Sequence, residues 1–165
     1  VHKANIPKAT SGLFLAVGRE LASQYPEVEF RDVIVDACCM QLVRDPGRFD
    51  VLVTTNLFGD ILSDLTAGLI GGLGLAAGAN LGDDHAMFEA VHGTAPDIAG
   101  KGIANPLGVM LAGVLMLEHL GMTESAGRLR GAIHDTLAAR EVRTPDLGGH
   151  ASTEQFTDEI VRRLG

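Results

Sequence analysis

Between Pro106 and Gly121 the chain runs Leu107-Gly-Val-Met-Leu-Ala-Gly-Val-Leu-Met-Leu-Glu-His-Leu120, with one acid and one histidine. A helix apolar on every side is stable only when other elements cover it. Pro106 suits the helix start and Gly121 the stop. The sequence therefore predicts a central buried helix with sheet or helix packed around it. At 165 residues the chain is long enough to build such a core. Its 46% hydrophobic content marks it as globular, and no apolar run has the uninterrupted length of a membrane span.

Other elements follow from periodicity and punctuation. Val1–Ile6, Phe30–Asp36, Phe49–Thr54 and His85–Val91 read as strands, with Asp36 at the carboxyl end of the second. Lys8–Gln24 reads as a helix capped by Thr10 or Ser11, with Leu13, Phe14, Val17 and Leu21 as its stripe. Ala37–Arg44 and Asn56–Gly68 are further helices. The glycine- and alanine-rich stretch from Gly68 to Gly82 is the best candidate for a domain border or hinge. Thr123 is expected to cap a helix reaching Arg140. Ser152 or Thr153 is expected to open a last helix ending at Leu164. His92–Ile98 reads as a loop.

The net charge of −8 argues against a general nucleic-acid binder, which needs a basic face. The two cysteines, Cys38 and Cys39, are adjacent. That spacing fits reduced, partly buried thiols of a cytoplasmic protein. The chain opens Val1-His-Lys without an initiator Met or targeting pattern, and reads as a piece of a longer polypeptide.

Asp60 and Asp64 stand four residues apart, so a helix places them on one face, Cβ atoms about 6 Å apart. Apolar neighbours on both sides suggest that they are not freely solvated. Two readings stand. A hard divalent cation would satisfy both carboxylates; alternatively the pair sits at a helix N-terminus and is favoured by the dipole.

Four motifs in fixed order carry a resemblance: Val1-His-Lys-Ala-Asn-Ile6, Asn56-Leu-Phe-Gly-Asp-Ile-Leu-Ser-Asp64, Gly71-Gly-Leu-Gly74 and Phe88-Glu-Ala-Val-His-Gly-Thr-Ala-Pro-Asp-Ile-Ala-Gly100. Together they resemble the carboxyl-terminal half of the β-decarboxylating dehydrogenases, the isocitrate/isopropylmalate dehydrogenase family. The resemblance implies part of a non-Rossmann, three-layer αβα fold of the α/β class. Residues 1–71 would belong to the smaller, dimer-forming, metal-binding domain and residues 72–165 to the larger cofactor-binding domain. It implies oxidation of a 2-hydroxy acid by NAD or NADP, then loss of a β-carboxylate as CO₂.

By resemblance, Asp36, Asp60 and Asp64 are ligands of Mg²⁺ or Mn²⁺, with Asp36 supplied by the neighbouring subunit of a homodimer with shared active sites. Lys3 matches the catalytic lysine, also acting in the partner's site. Read from the residues alone, Lys3 is a surface lysine on an edge strand. Asn5, two residues on in a strand, would share its face and lie near the nicotinamide.

His92, Gly93, Thr94, Ala95, Asp97 and Ile98 match the loop holding the cofactor's adenosine end, and Asn105 an asparagine near the adenine. Asp97 implies NAD, because a carboxylate accepts from both ribose hydroxyls and repels a 2′-phosphate. Glu89 either lies near the nicotinamide or satisfies backbone groups. His2 and Ile6 are closer to isocitrate than to isopropylmalate enzymes, with homoisocitrate enzymes as the runner-up. The family's substrate-binding arginines, substrate-reading loop and enol-protonating tyrosine lie outside the matched half. Tyr25 matches no such motif, so the chain alone is expected to be inactive. An inert or regulatory dimerisation fragment is the remaining alternative.

Overall fold

The computed structural model describes residues 1–165. The chain forms two compact units, Val1–Leu69 and Ile70–Gly165.

The first unit contains α1 (Thr10–Ala22), α2 (Val35–Arg44) and most of α3 (Asn56–Ile70). Its core is small. Cys38 and Leu42 of α2 meet Leu62 of α3, with Val33, Val35, Phe49, Leu52 and Leu65 packed around them. Burial pushes the Cys38 thiol above its ordinary value, reinforced by Cys39, so Cys38 is a packing residue rather than a thiolate nucleophile.

Three expectations fail here. The strands at Val1–Ile6, Phe30–Asp36 and Phe49–Thr54 reduce to one parallel bridge, His2 with Ile34, and a bond from the Val1 ammonium to the Val53 carbonyl at 2.7 Å. No ladder extends beyond that bridge, and a strand is stabilised by its neighbours rather than by its own residues. The second helix starts at Val35, so Asp36 stands in its first turn rather than at a strand end, where the helix dipole favours a carboxylate. The first helix has Ala9 at its cap position and no side-chain cap; Thr10 and Ser11 are already helical. Leu13, Val17 and Leu21 of α1 are exposed, so its apolar stripe is uncovered.

The second unit opens with a hairpin, β1 (Ala77–Leu81) and β2 (Ala86–Ala90), antiparallel with Ala77 opposite Ala90 and Leu81 opposite Ala86. The first strand falls inside the segment that the sequence marks as a border. Its low hydrophobicity and neighbouring glycines hide a strand that cross-strand pairing nonetheless supports. A helix, α4 (Leu107–His119), crosses this hairpin. Gly108 permits the approach: a Cβ there would lie 2.8 Å from the Gly74 carbonyl oxygen and 3.0 Å from that of Ala76.

Helices α5 (Thr123–Ala139) and α6 (Thr153–Leu164) complete the core. Leu107 and Val114 of α4 join Ala126, Ala132 and Ile133 of α5 and Phe156 and Ile160 of α6. The central helix is covered only in part, since Val109 is 60% and Met116 42% exposed.

Two helix ends are built as capping chemistry requires. Gly121, at φ 74°, closes α4 with bonds from Gly121 N–H to Glu118 O and from Met122 N–H to Leu117 O, a Schellman pattern. Thr123 is the first residue of α5 rather than its cap, which is Met122. Ser152 caps α6 in a reciprocal box with Gln155. No helix is long and apolar enough to cross a membrane.

Glu159 in α6 accepts from Arg162 Nε at 2.8 Å and Arg163 Nε at 2.7 Å. Arg162 first, with Arg163, holds its carboxyl down to about 2. A depressed folded value makes the contribution full above the unfolded range near 4.3, and it is lost as pH falls toward 2. The melting difference between the native chain and Glu159→Gln should therefore shrink from pH 5 to pH 2. A difference independent of pH would contradict the ion-pair account.

Candidate active-site residues in two groups

In the first unit, the backbone bridge at His2 sets Lys3 beside the entry to α2. Lys3 Nζ donates to Asp36 Oδ1 at 2.7 Å, with the lysine side chain 20% exposed. That contact replaces the reading of Lys3 as an unengaged surface residue. The Lys3 ammonium is the first cause, and backbone amides a further one, of an Asp36 carboxyl held below its ordinary value. Oδ1 is engaged by Lys3; the second oxygen remains a potential ligand. Asn5 lies in a turn and is exposed, so strand alternation does not place it on the Lys3 face.

Asp60 and Asp64 occupy one face of α3. The helix begins at Asn56 and has no acid in its first turn, so the helix-dipole explanation of the pair fails. Both are exposed, contrary to the expectation from their apolar neighbours; Leu57 and Ile61 beside them are exposed as well. Neither carboxylate joins any of the chain's ion pairs. Two free carboxylates one turn apart repel, which leaves them suited to a cation. Asp36, Asp60 and Asp64 do not converge within one chain, and no group of three or more His, Cys, Asp or Glu could hold a metal. The donor chemistry, all carboxylate oxygen, fits Mg²⁺ or Mn²⁺.

In the second unit, β2 presents Glu89, whose Oε1 accepts from Asn80 Nδ2 at 3.0 Å across the hairpin. After β2 the chain turns out as a loop. His92 Nδ1 lies 2.9 Å from the Gly93 carbonyl oxygen, a contact that fixes its ring. Ala95 adopts φ 42°, uncommon for a residue with a Cβ, and its carbonyl accepts from Ile98 N–H at 3.1 Å. This tight turn carries Asp97, exposed like Gly93, Thr94 and Ala95, with Ile98 partly buried.

Asn105 is held at both ends of its amide. Oδ1 accepts from Leu107 N–H at 3.0 Å, spanning Pro106, and Nδ2 donates to Asp146 Oδ2 at 2.9 Å. Thr153 steadies the preceding segment through Gly102 O and Ala104 O at 2.8 and 2.5 Å. Sequence reasoning missed Asp146. It sits in the turn Thr144-Pro-Asp-Leu-Gly-Gly149, and a partner 41 residues away leaves no local signal.

Comparison with known proteins defines the class. Residues 1–160 match the isocitrate/isopropylmalate dehydrogenase family profile. The chain is 58% identical over 163 residues to an isocitrate/homoisocitrate dehydrogenase of Thermus thermophilus, covering 99% of this chain and 48% of that protein. It is 53% identical over 165 residues to NAD isocitrate dehydrogenase catalytic subunit 5 of Arabidopsis thaliana, covering 99% and 44%. A crystal structure of isocitrate dehydrogenase from Methylococcus capsulatus superposes with a TM-score of 0.95 at 61% identity, covering 99% of this chain and 49% of that one. The chain belongs to the isocitrate/isopropylmalate dehydrogenase family and has part of its fold. It spans about half the length of the curated relatives it matches.

Proposed function

We propose that this chain supplies the metal-binding carboxylates, the proton-handling lysine and the cofactor loop for an NAD- and divalent-metal-dependent oxidative decarboxylation of isocitrate. Homoisocitrate and 3-isopropylmalate are the alternative substrates. The 2.7 Å contact of Lys3 with Asp36, in a chain of this family, carries the reading. It joins the proton-handling group to one of the carboxylates.

Asp60 and Asp64 from one copy, with Asp36 from a second copy, would hold the cation. Bound there, Mg²⁺ or Mn²⁺ would polarise the substrate hydroxyl and stabilise the charge left by CO₂ loss. NAD would take the hydride. Lys3, oriented by Asp36, would help remove the hydroxyl proton, its Nζ accepting only after the ammonium has given a proton to water or a metal-site carboxylate, and Asn5 would stand near the reacting end of the cofactor. His92 through Ile98 and Asn105 would hold the adenosine end, with Glu89 nearer the nicotinamide. Asp97 would accept from the ribose hydroxyls and repel a 2′-phosphate. The homodimer follows from this division of residues between copies, and the intact Lys3 and aspartates favour a catalytic over a regulatory role.

The test uses a polypeptide joining this chain to the other half of the family fold, assayed for Mn²⁺-dependent reduction of NAD by isocitrate. In it, Asp97→Lys should lower kcat/KM with NAD by about tenfold or more, one charged hydrogen bond of about 1.5–3 kcal/mol, and raise it with NADP. An unaltered cofactor preference would refute the role of Asp97.

A further inference from the structure

We infer that His2 and Asp32 form a positioning pair that sets how Lys3 is presented to Asp36. The inference rests on the reading of Lys3 as the proton-handling residue. His2 is 6% exposed, whereas the other five histidines are exposed. Its ring sits between two defined partners. Ala4 N–H donates to Nδ1 at 3.1 Å, so Nδ1 carries no proton and the hydrogen resides on Nε2. Nε2 lies 3.2 Å from Asp32 Oδ2 and donates to it.

Asp32 is fixed in turn. Its other oxygen accepts from Arg19 of α1 at 3.1 Å. Arg19 first, then His2, keeps its carboxyl below the ordinary value, so it remains an acceptor. A carboxylate behind an imidazole selects the tautomer and the ring orientation.

The backbone of His2 is held on the same side. Its N–H donates to Val33 O at 3.0 Å and its carbonyl accepts from Val35 N–H at 2.9 Å. Lys3 is thus framed by a residue locked through backbone and ring and by an Ala4 amide tied back to that ring. The bridge partner Ile34 leads directly into α2, whose second residue is Asp36. The same short segment therefore fixes both ends of the Lys3–Asp36 contact. The bond from Ala4 N–H to Nδ1 spans residues i+2 to i, the geometry that an asparagine side chain also makes. Asparagine at position 2 can keep that bond but loses the reach to Asp32; leucine loses both.

Two measurements test this. In the present chain, nitrogen-resolved NMR of the His2 ring should show the proton on Nε2 and a bare Nδ1. A ring protonated on Nδ1 would overturn the inference. In the polypeptide carrying both halves of the family fold, His2→Leu should lower kcat about 100-fold, the cost of misplacing a reacting group by about 1 Å, with KM for NAD unchanged. His2→Asn, which keeps the Ala4 bond and loses Asp32, should recover only part of that loss. A folded His2→Leu enzyme with native kcat, or a His2→Asn enzyme as slow as His2→Leu, would overturn it. Lys3→Met separates the two claims. If that variant turns over at the native rate, the catalytic reading of Lys3 fails, while the ring tautomer still decides the positioning bond.

Discussion

Asp60→Asn, in a polypeptide carrying both halves of the family fold, should lower metal-dependent turnover by roughly 100-fold or more. A bound cation contributes several kcal/mol of transition-state stabilisation, and each 1.36 kcal/mol is about tenfold in rate. Asparagine keeps the shape but removes the charge that a hard cation requires. Stability should not follow activity. Asp60 is exposed and joins no ion pair, and it faces Asp64 one turn on, so the substitution relieves a repulsion of a few tenths of a kcal/mol. Turnover should collapse while the melting temperature holds or rises slightly. An unchanged kcat at limiting Mn²⁺ would remove Asp60 from the ligand set. A parallel fall in melting temperature would show that it holds the fold instead.

Phe156→Ala should have the largest effect on stability. Phe156 is 0% exposed and joins α4, α5 and α6 in the core of the second unit. Truncating a buried phenylalanine costs about 3–5 kcal/mol through lost transfer energy and a cavity. Folded domains are stable by only about 5–15 kcal/mol, so the second unit should lose much of its margin. Chemical denaturation of the present chain should show the unfolding midpoint shifted strongly downward. A change below about 1 kcal/mol, well under the cavity cost, would mean that the three helices do not depend on this ring.

Periodicity and capping make the helices legible without knowledge of their packing. Ser152 with Gln155 and Gly121 after an apolar run are local signals, and both ends form as such chemistry directs. Strands are harder. Three apolar segments of the first unit have the composition of strands but no partners in this chain beyond one bridge, because a strand is stabilised by its neighbours rather than by its own residues. The reverse error is β1, where Ala77-Gly-Ala-Asn-Leu81 looks like a hinge and is held by pairing with β2.

The candidate site divides in the same way. Motif order exposes Lys3, the aspartates and the loop around Asp97. The contacts that orient them, Asp146 on Asn105 and Asp32 on His2, join residues 41 and 30 positions apart and leave no periodic trace. The apolar surface left open on α1 and α4 accompanies a chain spanning about half of the relatives it matches.

The most direct measurement follows nicotinamide reduction by the polypeptide that joins this chain to the other half of the family fold. Isocitrate, homoisocitrate and 3-isopropylmalate are offered in parallel, each with NAD and with NADP, in the presence and absence of Mn²⁺. The expected result is Mn²⁺-dependent reduction of NAD, strongest with isocitrate and weak with NADP. No reduction with any of the three acids, in a folded protein, would contradict the catalytic assignment of Lys3 and the aspartates and leave an inert or regulatory member of the family.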